Sequence, residues 1–366
     1  MGVCCGQNDN PAQQRRRQMR GMDATGIEHD MVDNVRRQTK QQRKQNLETF
    51  MSMKTAKKFK KVERFSDHYS LLKEIGAGAF GSVKLGRHKA TQQPCAVKII
   101  RKSSLSHEIY QQLNKNEFEV LEETPHPNIT RIYELMEDKR NYFIVMEVVT
   151  GGNLLQKFEG IGSFTESQAA SVIQQLLNAL KFMHNKNIMH RDLKPENILC
   201  EENANSTDER IEIKLTDFGF AKKYDPDEPE NLSLGTPFYM APELCQEKPY
   251  NSKVDVWAVG VILYLLIAGT PCFINPHSRQ QPTKDSIHRA IIHDEPNWSY
   301  LEQASDELKD FVKQCLEKNP ITRPTIAELH MHPWITENAW ENNTVDQGAE
   351  RRVTANLANF VRMSQF

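Results

Sequence analysis

The sequence predicts an α+β protein of two lobes, a small strand-rich lobe followed by a larger helical one. Three observations predict it. A chain of 366 residues is long for one compact domain. From Tyr69 the apolar and polar residues alternate in short runs broken by turn residues, the pattern of half-buried strands. From "TESQAASVIQQLLNALKFMHNKN" onward the apolar residues recur at helical spacing instead, and strands followed by helices is the α+β order.

Taken in order, residues 1–65 are poor in aromatics and rich in Gln, Arg and Lys, and are expected to form a disordered or loosely helical basic arm. Order is expected to begin near Tyr69. "YSLLKEIGAGAFGSVKLGRHKATQQPCAVKIIRK" reads as three strands, the middle one starting at Ser82 and the last at Cys95. "SHEIYQQLNKNEFEVLEET" has helical spacing and stops before the turn "PHPN". "ITRIYELMEDKRNYFIVMEVV" gives two more strands. Helices then dominate, interrupted by "IEIKLTDFGF" as a short hairpin strand. "VWAVGVILYLLIAG", 256–269, is too short to span a bilayer and is expected to be a buried core helix.

Charge and cysteine usage exclude some functions. Up to Arg64 there are 15 Lys/Arg against 7 Asp/Glu, so with 47 and 48 in the whole chain the remainder carries 32 against 41. A main body with that acidic balance is not expected to bind nucleic acid. The seven cysteines sit at unrelated spacings with no C-x-x-C pair, which reads as reduced thiols in an intracellular protein. No apolar signal-peptide core appears near the N-terminus.

The chemistry lies in a few short motifs. "GAGAFGSV" (76–83) has the G-x-G-x-x-G spacing, but Ser82–Leu85 continue as strand, so the dinucleotide-binding version, which needs a helix there, does not apply. What remains is a glycine-rich hairpin over nucleotide phosphates or a plain turn. Lys98 in "CAVKII" alternates with apolar residues, and a Lys on a buried strand needs a partner. Glu117 on the next helix could be that partner. "TDFGF" (216–220) places Asp217 at the end of an apolar strand, where a carboxylate can hold Mg²⁺, and Asn197 offers a second oxygen. "HRDLKPEN" (190–197) packs His190, Arg191, Asp192, Lys194, Glu196 and Asn197 into eight positions. There Asp192 is free to face an attacking hydroxyl and Lys194 to offset charge on a phosphoryl group.

"GAGAFGSV", "AVK", "HRDLKPEN", "DFG" and "APE", in that order, resemble the protein-kinase catalytic domain over Tyr69–Ile335. The resemblance implies a bilobal protein-kinase fold and transfer of the γ-phosphoryl group of ATP, with Mg²⁺, to protein hydroxyls. Gly76, Ala77, Gly78, Ala79, Phe80 and Gly81 would cover the phosphates, and Lys98, paired with Glu117, would hold the α/β-phosphates. Ile75, Val83, Ala96 and Leu199 would sandwich adenine with Met146 behind it, and backbone groups of Glu147 and Val149 would read its edge. Asp192 would orient the substrate hydroxyl with Lys194 beside it. Glu196 would lie at the nucleotide, and Asn197 and Asp217 would be the Mg²⁺ ligands. Glu243 would pair with Arg323, and Asp255 would tie the catalytic loop to the core helix. The alternative from another class is a catalytically silent, membrane-tethered adaptor on the same fold.

"HRDLKPEN" and Thr236 in "GTPFYMAPE" resemble Ser/Thr kinases, and "VTGGNLL", "FTESQAA" and "HPWI" resemble the calcium/calmodulin-dependent group, nearest to the calcium-dependent kinases of plants and protists. Two departures matter. Asn153, expected at the ribose, stands where those kinases usually have Glu, which puts selection of Arg three residues before the target in doubt. The chain also contains no D-x-[DN]-x-[DN]-G loop, so a calcium signal would need calmodulin or another EF-hand partner.

The acids Asp225, Asp227, Glu228 and Glu230 lie between "DFG" and "APE". They form either a built-in substitute for an activating phosphate on Arg191 or an exposed acidic loop, and the exposed loop is the expectation. In the 336–366 tail, Val353, Leu357, Phe360 and Val361 share one helical face, so the tail is either an autoinhibitory junction or simple packing. Gly2, Cys4 and Cys5 are candidates for acylation at a membrane, with Gly6 weakening the match, and the protein is expected to be a monomer.

Overall fold

The glycine-rich stretch is a hairpin. β2 (Tyr69–Gly78) turns back as β3 (Gly81–His88), and β4 (Pro94–Arg101) continues the meander. The structure, a computed structural model, describes residues 59–78, 81–104, 126–162, 164–201, 211–225, 228–231, 234–274 and 281–338. The helix expected in 105–125 and the tail from 339 lie outside the described residues. β5 (Ile132–Glu137) and β6 (Asn141–Met146) form a second hairpin, and β1 (Lys60–Lys61) completes a sheet in the order β1-β5-β6-β4-β3-β2.

Register decides what this sheet presents. Val83 lies opposite Lys98, Ile144 opposite Lys98 on the other side, and Ala96 opposite Met146. Residues directly opposite one another, and those two apart on one strand, share a face. The glycine hairpin, Lys98, Ala96 and Met146 therefore belong to one face. Gly81 is required by the close approach of β3 to β4: a Cβ there would sit 1.9 Å from the carbonyl oxygen of Ile99. Gly76 differs, because a Cβ on it would meet only Val83 at an ordinary 3.7 Å.

Order begins earlier than the basic composition predicts. Residues 59–65 are folded against the sheet rather than part of a disordered arm, because Phe59, Val62 and Phe65 give that stretch apolar anchors. The 69–78 strand is only the first strand of the meander, and the charged residues around those anchors masked them in the sequence.

The second lobe is helical: α1 (Leu154–Ile161), α2 (Glu166–His184), α3 (Pro242–Cys245), α4 (Lys253–Ala268), α5 (Lys284–His293), α6 (Asp306–Cys315), α7 (Ile326–Leu329) and α8 (Pro333–Asn338). "TESQ" caps α2: the Thr165 hydroxyl accepts from Gln168 N–H while the Gln168 side chain accepts from Thr165 N–H. α4 is buried almost all round and packs on α2 and α6, as its unbroken apolar run requires. Among the described residues no helix is long and apolar enough to cross a membrane. Short strands β7 (Ile188–Met189), β8 (Ile198–Cys200), β9 (Ile213–Leu215) and β10 (Lys222–Lys223) carry the loops that face the sheet. β8 pairs with β9 and β7 with β10.

Candidate active site

The turn between β7 and β8 is held by one carboxylate. Asp255, in the first turn of α4 where the helix dipole favours an anion, accepts the backbone N–H groups of His190 and Arg191, both at 2.9 Å. His184 Nε2 lies 2.8 Å from the same carboxylate. Burial opposes its ionisation, but the hydrogen bond from His184 and the nearby His190 hold the carboxyl below its ordinary range. The anchoring supports a strained backbone: Arg191 has φ +69° and Asp217 +59°, both in the left-handed region.

Asp192 is thereby presented to the cleft with both oxygens engaged. Its Oδ1 accepts from the Thr236 N–H at 3.1 Å and the Thr236 hydroxyl at 2.8 Å. Its Oδ2 meets Lys194 Nζ at 3.0 Å and Asn197 Nδ2 at 3.2 Å. Lys194 also donates to the Thr236 hydroxyl at 2.9 Å. A hydroxyl is thus held between a carboxylate and an ammonium. The amide nitrogen of Asn197 is committed to Asp192, including its backbone carbonyl at 2.8 Å, so the carbonyl oxygen is what Asn197 has for a cation. Thr216 N–H donates to Asn197 O at 2.9 Å, joining the catalytic turn to the segment that carries Asp217.

Lys98 Nζ reaches across from the sheet to Asp217 Oδ1 at 2.6 Å. The Lys98 side chain is 8% exposed, while that of Asp217 is 37% exposed and opens on the cleft. Burial raises the Asp217 pKa, but Lys98 and the Gly219 N–H more than reverse this and leave the carboxyl below its usual range. The partner that the sequence proposed for Lys98, Glu117, lies outside the described residues, as do Ala79 and Phe80. Ala77 and Gly78 lie at the end of β2.

The remaining predicted positions surround this cleft. Ala96 is buried, Val83, Met146, Glu147, Val149 and Leu199 are half-buried, and Ile75 stands exposed at the rim. The N–H of Glu147 donates to Arg131 O at 3.0 Å, so of its two backbone groups only the carbonyl is left for a ligand edge. The Asn153 side chain caps α1, accepting from Gln156 N–H at 2.9 Å, which accounts for an Asn at this position by helix chemistry. Glu196 Oε2 is buried without a hydrogen-bond partner among the described residues, and burial pushes its carboxyl up. Arg323 meets Glu243 in a buried two-pronged pair at 2.7 and 3.0 Å.

The acidic loop departs from expectation at one residue, since Asp225 and Glu228 are exposed as expected but Glu230 takes the alternative place beside Arg191. Glu230 is not exposed: its side chain is 11% accessible, 3.6 Å from Arg191 Nη1 and paired with Lys222 Nζ. Arg191 also donates to Phe220 O at 2.5 Å and Tyr250 Oη at 3.1 Å. Glu230 and Tyr250 exchange backbone hydrogen bonds at 3.0 and 2.9 Å, so Glu230 is held between the buried Arg191 and the half-buried Lys222. Asp225 and Glu228 are joined through the backbone, the Glu228 N–H donating to Asp225 O at 3.1 Å, and Asp227 lies outside the described residues. Sequence reasoning missed His184 and Tyr250, which have no motif and reach the turn only through the fold.

The donor set suits a magnesium nucleotide. It offers hard oxygens on Asn197 and Asp217, a lysine on the same cleft, and a hairpin whose Gly76 lacks a side chain without any packing reason. Among the described residues no group of three or more His, Cys, Asp or Glu could hold a metal ion. The fold and the cleft define a nucleotide-dependent phosphotransferase. A protein kinase domain model matches residues 69–335, and the chain belongs to that family. It is similar to myosin light chain kinase A of Dictyostelium discoideum, 36% identical over 282 residues, covering 76% of this chain and 91% of that protein. Calcium/calmodulin-dependent protein kinase type 1 of Macrobrachium nipponense is 35% identical over 309 residues, with 83% and 86% covered. Human serine/threonine-protein kinase DCLK3 is 39% identical over 278 residues, 76% of this chain and 41% of that protein. The protein is an ATP- and Mg²⁺-dependent Ser/Thr kinase of the calcium/calmodulin group acting on protein substrates.

Proposed function

We propose that Asp192 orients the substrate hydroxyl for attack and that Lys194 offsets charge on the transferring phosphoryl group. The observation that carries this reading is the Thr236 hydroxyl, 2.8 Å from Asp192 and 2.9 Å from Lys194. It displays how this pair receives a hydroxyl, and a substrate Ser or Thr presents the same group. Lys98 would hold the α/β-phosphates, and Asn197 and Asp217 the Mg²⁺, with the Ile75–Gly81 hairpin, Val83, Ala96, Met146 and Leu199 around the nucleotide. Mg·ATP, when bound, supplies the phosphoryl group. The chain contributes position and charge, the main terms in phosphoryl transfer. The test is phosphate incorporation into a generic Ser/Thr protein: wild type should be active, and Lys98→Met and Asp192→Asn should not.

Calcium control through a separate EF-hand protein such as calmodulin is the regulation we favour. Three of the relatives are named for calcium/calmodulin, and the chain has no calcium loop of its own. A peptide-array assay with and without Ca²⁺/calmodulin decides it, and equal rates would set this reading aside. We further propose that the protein works as a monomer at a membrane, acylated at Gly2 and at Cys4 or Cys5, with the basic arm adding about 1 kcal/mol per residue near anionic lipid. Fractionation of Gly2→Ala and Cys4/Cys5→Ser proteins tests the anchor, and sedimentation tests the monomer.

A further inference from the structure

Residues 59–65 precede the matched domain, yet they grip both faces of its sheet. β1 lies parallel to β5 with Lys60 opposite Met136, and the Val62 N–H donates to Glu137 O at 2.9 Å. A two-residue edge strand is too short to hold itself in place by backbone pairing. Aromatic contacts hold it instead. On one face Phe65, 3% exposed, stacks on Phe143 with centroids 4.0 Å apart and planes at 11°, and on Tyr69 at 5.0 Å. On the other face Phe59 packs on Tyr142 at 4.8 Å. Lys102 closes the arrangement, lying 4.5 Å from the Tyr142 ring centre while its ammonium meets Glu137 at 2.7 Å.

The Phe59 face is the one that carries Lys98. Tyr142 lies opposite Ile100 and Ile144 opposite Lys98, so a continuous layer of side chains runs from Phe59 through Tyr142 and Ile144 to the lysine. We propose that residues 59–65 are a strap that fixes this face for catalysis, with Phe59 as a positioning residue for Lys98. A side chain that touches no nucleotide would then set phosphate alignment through packing. A short segment docked at a sheet edge opens more readily than the core, so its effect should appear in turnover before it appears in global stability.

This inference rests on the reading of Lys98 above, and the experiment separates the two. Full-length wild type, Phe59→Ala, Phe59→Leu and Phe59→Tyr are compared for kcat, KM for ATP, melting temperature and the rate at which a lysine-reactive acyl-phosphate ATP analogue labels Lys98. Phe59→Ala should lower kcat and Lys98 labelling together by about tenfold, a fraction of what a 1 Å misplacement costs, and Phe59→Tyr should restore both. If Phe59→Ala does not fold, Phe59→Leu carries the test, and both rates should fall between the wild-type value and a small fraction of it. Unchanged kcat and labelling in either variant, with or without a lower melting temperature, overturns the strap. A wild type that the probe does not label at Lys98 overturns the Lys98 reading instead.

Discussion

Replacing Glu230 by Gln keeps its shape and removes its charge from beside two cations. Arg191, with a side chain 2% exposed, keeps the Phe220 carbonyl at 2.5 Å and the Tyr250 hydroxyl at 3.1 Å, so it is not stranded. The backbone bridge between Glu230 and Tyr250 also survives. The loss is then well below that for an isolated buried ion, about 2 kcal/mol, as when a buried polar group loses one charged partner. At about 1.4 kcal/mol per tenfold, that is roughly a 30-fold shift of the loop away from its ordered arrangement. The expected result is a fall in kcat of about ten- to thirtyfold on a Ser-containing peptide at saturating Mg·ATP, with the KM for ATP nearly unchanged because no nucleotide contact is touched. Glu230→Asp should fall between the two. If Glu230→Gln keeps kcat within about twofold of wild type, the acid does not organise the loop and the reasoning fails.

Arg323→Met leaves Glu243 charged and buried and removes the donor to the carbonyls of Lys253 and Glu317. It should cost about 3–5 kcal/mol and lower Tm by roughly 10 °C, whereas a paired Glu243→Met/Arg323→Leu variant should recover part of the loss in thermal melts. Gly81→Ala should lower Tm and activity together, because its Cβ would overlap the Ile99 carbonyl, while Gly76→Ala should raise the KM for ATP with little change in Tm. Burial lowers the pKa of His190, and also those of His126 and His330, so the unfolded chain binds protons that the fold refuses. Stability should therefore be complete above about pH 6.5 and fall as pH drops below it. Asp255 and Asp217, depressed in the fold, should add a second loss as pH falls below about 4. A Tm that is flat from pH 7.5 to 5 would contradict the histidine assignment.

Much of the site was legible because its parts lie close together in sequence. Asp192, Lys194 and Asn197 fall within six positions, and one tight turn brings their polar atoms together. The strands of the meander were legible from alternation, with Ser82 and Cys95 each within one residue of the observed starts. What was not legible depends on distance along the chain. Choosing Glu230 over its acidic neighbours needs Tyr250 and Lys222 to position it, and no local pattern encodes that. The strap was missed for another reason: in "KKFKKVERF" two phenylalanines sit among Lys, Arg and Glu, so composition averaged over the arm hid three anchors whose neighbours lie about 80 residues away. Asn153 departs from the Glu of the resembled kinases, and its capping of α1 was not read from the sequence.

The most direct test of the account is to measure ATP binding and phosphate transfer side by side for wild type and Asp192→Asn. Asn retains the size and one acceptor of the carboxylate but cannot draw the proton of the attacking hydroxyl. Mg·ATP affinity should stay near wild type while kcat falls by about 10²–10⁴-fold. Near-full turnover in Asp192→Asn would contradict the central claim that this carboxylate, held by Asp255 through the backbone of His190 and Arg191, receives the substrate hydroxyl.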